Sequence, residues 1–307
     1  MNGGAVPERL VCRSMLMTCA LYPRQYGKAE ETGADVGTID LEDSVPAARR
    51  DEARRLALSF FKGRREPCLR TLRTLRINSL RTPDGLRDIL ALLESGARPE
   101  ALLVPKVDSA QDLLILQELL GRALTDTLFL VVIETAAGLC AVEEIAAATP
   151  RVRALVFGAA DFSSEMGTSM SWEHMLHARS RILVAAARAG IPAMDAPCFE
   201  VQDEMALRVE VRKSQELGFH GKAAIHPCQV AAINEGFTPG PEAIDRARRI
   251  VELTERRAGQ ICVLDGDMIG PPMVLAARRL LSQVETLEAA GKLEPVNGLE
   301  LAGRSPL

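Results

Sequence analysis

Leu128–Glu134 reads LFLVVIE and Ala154–Asp161 reads ALVFGAAD. Each is a short apolar run that stops on a carboxylate. A run that is apolar at nearly every position, rather than at alternate ones, marks a strand covered on both faces, as in a parallel sheet. Three runs upstream have the same form: Val36–Glu42 (VGTIDLE), Leu75–Asn78 (LRIN) and Ala101–Lys106 (ALLVPK). The charges at their ends are Glu42, Arg76, Lys106, Glu134 and Asp161. Helix-like segments separate the runs. Parallel strands would therefore collect all of these charges on one rim, the C-terminal one, where the active site of a (β/α)8 barrel lies.

The alternation continues in both directions. A first strand is expected at Met15–Ala20 and a short helix around Arg24–Thr32. Further helices are expected near Ala48–Phe61, Gly85–Glu94, Ala110–Leu120, Leu139–Ala147, Glu173–Ala189 and Gln202–Leu217. The third strand extends over Leu72–Asn78, and IPAMDA (Ile191–Ala196) and Gly221–His226 supply the seventh and eighth. Eight βα units in about 230 residues suit an α/β fold of the TIM-barrel type. An open doubly wound sheet is the runner-up, and the lack of a GxGxxG after the first strand weighs against its dinucleotide-binding form. The expected organisation is a barrel over residues 1–235, a C-terminal helical extension or lid over 236–294, and a loose tail over 295–307. In the extension, ICVLDGDMIGPP (Ile261–Pro272) lies between helices near Pro241–Ala258 and Met273–Ala290. Its DG and GPP turns fit a lid and a plain connector equally.

The chain has 307 residues, 47% of them hydrophobic and 25% charged, with a net charge of −4. That is the composition of an ordinary soluble enzyme and carries no electrostatic footprint for nucleic acid. Basic clusters such as Arg246-Ala247-Arg248-Arg249 read as solvated helix faces. The cysteines, at 12, 19, 68, 140, 198, 228 and 262, form no CxxC pair and read as reduced thiols. No stretch has the length of a membrane span, and MNGGAVPERL lacks the apolar core of a signal peptide. The cytoplasm is the expected location.

A carboxylate next to an apolar run is costly unless it is paired or binds a metal. Glu134 and Asp161, on adjacent strands, offer the hard oxygen ligands that suit Mg²⁺, with Mn²⁺ as the alternative ion. Asp40, Glu42 and Asp43 add oxygens able to hold metal-bound waters. Capping of the following helices, or pairing with arginine, is the competing use of these acids. Arg76 can clamp a substrate carboxylate with two parallel hydrogen bonds, or form a structural salt bridge to an aspartate of the neighbouring strand. Arginine beside Mg²⁺ suggests a 2-oxo or 2-hydroxy acid substrate, and a Lewis acid there serves to make or break a C–C bond next to a hydroxyl. His174 and His177 read as structural, and His226 as a hydrogen-bonding rim residue. No GxSxG or prominent cysteine supports a covalent hydrolase.

These residues fall in motifs: Asp40-Leu41-Glu42-Asp43-Ser44-Val45, Arg76-Ile77-Asn78, Pro105-Lys106-Val107, Ile133-Glu134-Thr135, Phe157-Gly158-Ala159-Ala160-Asp161-Phe162, Gly218-Phe219-His220-Gly221-Lys222 and Ile225-His226-Pro227-Cys228-Gln229. In this order they resemble the citrate lyase β-subunit-like branch of the HpcH/HpaI aldolase superfamily, from Arg13-Ser14 to about Leu281. The resemblance implies a barrel assembling as a homotrimer or homohexamer, with Mg²⁺ on Glu134 and Asp161. It implies that Arg76 and the Gly158-Ala159-Ala160 turn hold the oxo acid, and that Arg13 and Lys28 lie on the thioester cofactor's side. The implied chemistry is cleavage or formation of malyl-, citramalyl- or citryl-thioesters. The partners are glyoxylate, pyruvate or oxaloacetate and an acyl enolate on coenzyme A or a carrier.

Two departures stand out. The Pro-Gly turn that many relatives carry after strand one is Cys19-Ala20 here, with only Pro23 and Lys28 keeping the pattern. The lid aspartate that relatives carry after Met-Ile or Met-Val is Gly270, which has no proton to exchange. Asp265 or Asp267 stands in for it, another base such as a metal-bound water is used, or a related substrate is handled. A thioester hydrolase and a non-catalytic oxo-acid binder are the alternatives to a lyase.

Overall fold

In a computed structural model of the chain, describing residues 10–62, 71–257 and 260–294, eight parallel strands close into a barrel. Cys68 and the 295–307 tail lie outside the described residues. In chain order come β1 (Ser14–Cys19), α1 (Lys28–Glu31), β2 (Val36–Asp40), α2 (Arg50–Lys62), β3 (Leu72–Arg76), α3 (Pro83–Ser95), β4 (Ala101–Val104) and α4 (Ala110–Leu120). They are followed by β5 (Leu128–Ile133), α5 (Ala136–Cys140), α6 (Val142–Ala146), β6 (Val152–Phe157), α7 (Ala159–Met166), α8 (Trp172–Ala189), β7 (Ala193–Asp195), α9 (Glu204–Leu217), β8 (Gly221–Ala224) and α10 (Gln229–Gly236). Each strand pairs with the next, and β8 returns to β1.

Alternation along the strands divides the core. Met15, Val36, Ala101, Leu103, Leu130, Val132, Ala154, Val156 and Met194 pack together inside the barrel. Their neighbours, including Leu16, Ile39, Leu75, Leu102, Phe129, Val131 and Leu155, pack outward against the helices. Burial on both sides is why the strands read as unbroken apolar runs. Helix ends follow local chemistry. Thr82 accepts from the Gly85 amide at the start of α3, with Pro83 in its first turn, and Gly96 closes it at φ 73°. Ser109 and Asp112 form a capping box on α4.

Several elements differ from the sequence expectation. Strand β6 stops at Phe157, and α7 begins at Ala159, so Asp161 lies in the first turn of a helix and not at a strand end. Gly158 ends the strand, and its carbonyl accepts from the Phe162 amide to open α7. The helix expected near Leu139–Ala147 is two short ones that part at Ala141. The segment expected near Arg24–Thr32 is a 3₁₀ turn, Pro23–Gln25, followed by α1. Helix α10 was not expected.

A second compact unit starts at Thr238. It holds α11 (Pro241–Arg256), a hairpin of β9 (Cys262–Leu264) and β10 (Asp267–Ile269), and α12 (Pro271–Ala289). Ala247, Ile250, Cys262, Ile269 and Ala277 form its core. The hairpin turns through Asp265 (φ 53°) and Gly266 (φ 88°), the left-handed pair of a type I′ turn. No helix among the described residues is long and apolar enough to cross a membrane.

Candidate active site

Asp40 and Arg76 are register partners on β2 and β3, side by side at the C-terminal rim. Arg76 donates from Nε to Asp40 Oδ1 at 2.6 Å and from Nη2 to Oδ2 at 2.7 Å, a two-point clamp. The same carboxylate accepts from the Glu42 amide at 2.8 Å, the Ser44 amide at 3.1 Å and the Ser44 hydroxyl at 2.5 Å. Asp40 thus folds the β2–α2 loop around itself. Burial pushes its carboxyl up, but the Arg76 bonds and charge, with Ser44 and the Glu42 amide, outweigh that and hold it below the usual range. Arg76 keeps Nη1 for the mouth of the barrel, 3.2 Å from both Glu42 Oε2 and Asp43 Oδ2.

The next sector is acidic. Glu42 and Glu134 are buried, while the Asp43 and Asp161 side chains are 50% and 42% exposed. Lys106, two residues beyond β4, joins them. Its amide donates to Glu134 Oε1 at 2.8 Å, and its Nζ donates to Glu42 Oε1 at 2.5 Å. The same Nζ stands 3.6 Å from Asp43 Oδ1 and 3.8 Å from Asp161 Oδ1. Burial, then the charges of Glu42 and Asp161, push Glu134 up to about 8, with Lys106 offsetting part of the rise. Burial likewise raises Glu42, against the opposing pull of Arg76 and Lys106.

The glycine of FGAAD has a steric reason. A Cβ on Gly158 would fall 2.5 Å from Glu134 Cβ and 2.6 Å from Glu134 Oε2. Only a bare backbone lets α7 begin against this carboxylate. Glu42 Oε2 is buried and makes no hydrogen bond among the described residues, although Arg76 Nη1 is near. A buried acceptor without a donor, a buried carboxyl raised by its acidic neighbours and an all-oxygen donor set together fit a hard divalent cation. Among the described residues, the group of three potential ligands drawn within 4.8 Å of one another is instead Cys198, Glu200 and Glu210. There the Lys222 ammonium already holds Glu210 at 2.9 Å, and burial, then Glu210, pushes the Cys198 thiol up to about 11. Its sulfur is a soft ligand, so this group suits a hard cation less well than the all-oxygen rim does.

Residues 13–227 match the HpcH/HpaI aldolase/citrate lyase family. The chain belongs to that family. It is 34% identical to the L-malyl-CoA/beta-methylmalyl-CoA lyase of Cereibacter sphaeroides, over 87% of this chain and 92% of that protein. The crystal structure of RipC from Yersinia pestis is 43% identical, with a TM-score of 0.68, covering 77% of this chain and 100% of that one. The structure of CitE from Mycobacterium tuberculosis, in complex with magnesium, acetoacetate and coenzyme A, is 30% identical with a TM-score of 0.74, over 90% and 98% of the two chains.

Among the residues picked out from sequence, Asp40, Glu42, Asp43, Arg76, Glu134 and Asp161 gather on this rim of the family's barrel, with Gly158, Ala159 and Ala160 at the opening of α7. Arg13 does not join them. It precedes β1 at the opposite end of the barrel, where its buried guanidinium grips Asp35 through Nε and Nη2 at 2.9 Å each. This corrects the expectation that it faces a cofactor, because its charge is spent closing the barrel floor. Lys28 pairs with Glu31 on the exposed face of α1. Asp265 pairs with Arg249 at 2.6 Å, and Asp267 with Arg246 at 2.6 Å, on the hairpin of the second unit. Arg249, then Arg246, holds Asp265 below the usual range, which weakens it as a base. Lys106, which the strand-end pattern places on this rim without a role, belongs to the site through its contacts with Glu134 and Glu42. Sequence reasoning missed Asn78, whose side chain donates to the Leu41 carbonyl at 3.1 Å and to Asp88 at 2.8 Å, tying β3 to the Asp40 loop. A polar residue directly after Arg76-Ile77 was the available signal.

Proposed function

We propose that this chain is a Mg²⁺-dependent carbon–carbon lyase acting on 2-hydroxyacyl thioesters of the malyl-, citramalyl- or citryl-CoA kind, or a synthase running the reverse condensation. The observation that carries the reading is the rim itself: Glu134, raised to about 8 between Glu42 and Asp161, next to the Asp40–Arg76 clamp. The magnesium and coenzyme A of the related CitE complex and the malyl-CoA chemistry of the related lyase support it. Mn²⁺ is the alternative ion.

In this reading Glu134 and Asp161 hold the cation, with Asp40, Glu42 and Asp43 around them. When bound, Mg²⁺ supplies Lewis-acid polarisation of the substrate's 2-oxo or 2-hydroxy oxygen. Arg76, fixed by Asp40, offers Nη1 to the oxo-acid carboxylate. The first-turn amides of α7 at Ala159 and Ala160, free of intrahelical partners, face the same group. A base takes the hydroxyl proton, the adjacent C–C bond breaks, and its electron pair passes to the thioester α-carbon, which is protonated. The oxo acid leaves.

Asp267 is the proposed lid carboxylate for this proton transfer. It is more exposed than Asp265 and pairs with one arginine rather than two. Lys28 is the proposed contact on the thioester side. The exposed Val263 and Met268 of the hairpin suit packing against a neighbouring subunit in a homotrimer or homohexamer. The free thiols of the described cysteines suit the cytoplasm.

The test is incubation with Mg²⁺ and each hydroxyacyl-CoA. Release of glyoxylate, pyruvate or oxaloacetate with acetyl-CoA is the expected result. Free thiol without oxo acid identifies a hydrolase. Gly270, which brings no carboxylate to the start of α12, favours one further reading, an oxo-acid binder; Mg²⁺-dependent binding without turnover would establish it.

A further inference from the structure

We propose that Lys106 is the site's built-in counter-cation: its ammonium occupies the acid ring in the metal-free protein, and the divalent ion binds by displacing it. The inference rests on the reading that this ring takes Mg²⁺. Lys106 touches every acid of the sector, Glu134 through its amide and Glu42, Asp43 and Asp161 through Nζ. The acids converge on this ammonium and not on one another, since no three of them bring ligand atoms within 4.8 Å of each other. A divalent ion needs its oxygens closer than that. The geometry is therefore that of a ring spread around a single positive charge.

The backbone is shaped for the arrangement. Lys106 has φ 50°, one of two non-glycine residues at positive φ among those described. A long side chain adopts that region only when its surroundings hold it there. Here the reversed backbone aims the amide at Glu134 and sends the side chain back across the ring. Pro105 and Val107, both buried, fix the turn on either side. The Nζ lies on a flexible stem that is 34% exposed, so it can swing towards the barrel mouth without unpacking the core. Exchange of one cation for another keeps the buried Glu42 compensated throughout, where an empty ring would leave it facing its acidic neighbours without the ammonium.

The experiment is calorimetric Mg²⁺ titration of the wild type, Lys106→Met and Lys106→Gly. Methionine keeps the stem and removes the charge. Glycine adopts φ above zero freely and keeps the amide bond to Glu134. Both variants should bind Mg²⁺ roughly tenfold or more tightly than wild type, about 1.4 kcal/mol, because the competing charge is gone. In thermal melts the metal-free variants should be less stable than wild type and gain more from Mg²⁺. Unchanged or weaker binding in both overturns the proposal, because a lysine that merely props the acids in place would cost affinity when removed. If neither variant folds, diffraction from Mg²⁺-loaded wild-type crystals decides: Nζ withdrawn from Glu42 and Asp161 supports exchange, and Nζ still in its place beside a bound ion refutes it. Failure of the wild type to bind Mg²⁺ at all refutes the metal reading itself, so the two failures are distinct.

Discussion

Gly158→Ala is the sharpest steric probe of the site. Gly158 has φ −98° and ψ 72°, a conformation alanine can reach, so backbone strain does not confuse the result. The new methyl would lie 2.5 Å from Glu134 Cβ, 2.6 Å from Oε2 and 3.0 Å from Val132 Cγ1. Contacts below 3 Å must be relieved. Val132 is packed in the barrel interior, so Glu134 is the group that moves. Overpacking of this kind costs about 1–3 kcal/mol. At roughly 2–4 °C per kcal/mol for a domain of this size, Tm should fall by several degrees. A metal ligand tolerates only a few tenths of an ångström, so Mg²⁺ affinity should drop by about 10–100-fold. Calorimetry and a thermal melt on the same preparation read both effects. A variant with wild-type Mg²⁺ affinity and unchanged Tm would refute the claim that Gly158 exists to seat Glu134.

Burial and its acidic neighbours hold the Glu134 proton to about pH 8 in the folded metal-free protein, against 4.5 for an ordinary glutamate, so this group favours folding at low pH and that contribution is lost as pH climbs from about 4.5 to 8. Mg²⁺ must displace that proton below pH 8, so its affinity should climb by up to about tenfold per pH unit and level off above; an affinity independent of pH between 6 and 8 contradicts this. Arg76→Lys keeps the charge but cannot span both oxygens of Asp40; it should lose about 1.5–3 kcal/mol of stability by denaturant titration and raise the KM for the oxo acid in the condensation direction about tenfold or more. At Gly270 a Cβ would meet only Pro272 Cδ at 3.9 Å, and φ is −122°. Gly270→Asp should therefore fold, gain a few tenths of a kcal/mol as an N-cap of α12 and leave kcat within a few fold, because Asp267 already supplies the lid carboxylate; a rise of about 10²–10⁴-fold would refute that role for Asp267.

The barrel was legible because strands buried on both faces must be apolar throughout, and their charged ends mark one rim. The rim acids and Arg76 were legible for the same reason. Asp161 was assigned to a strand because Gly158-Ala159-Ala160 continues the apolar run; small residues serve a strand and a helix start alike, and only the Gly158 carbonyl taking the Phe162 amide decides. The resemblance puts Arg13 on the cofactor's side, but a motif match gives position along the chain and not which end of a strand faces the site, and Arg13 precedes β1. The rim position of Lys106 was legible from its strand end; its contacts with the acids were not, because they depend on a positive φ that sequence does not announce. Asp265 was read as a potential base, and the same DG pair that signals its turn sets it beside Arg249.

Anomalous diffraction from crystals soaked in Mn²⁺ and pyruvate tests the central claim most directly. The account predicts one dominant peak in contact with Glu134 and Asp161, with the pyruvate carboxylate facing Arg76 Nη1. A peak at Cys198, Glu200 and Glu210, or an acid ring that stays without metal at saturating Mn²⁺, would contradict it.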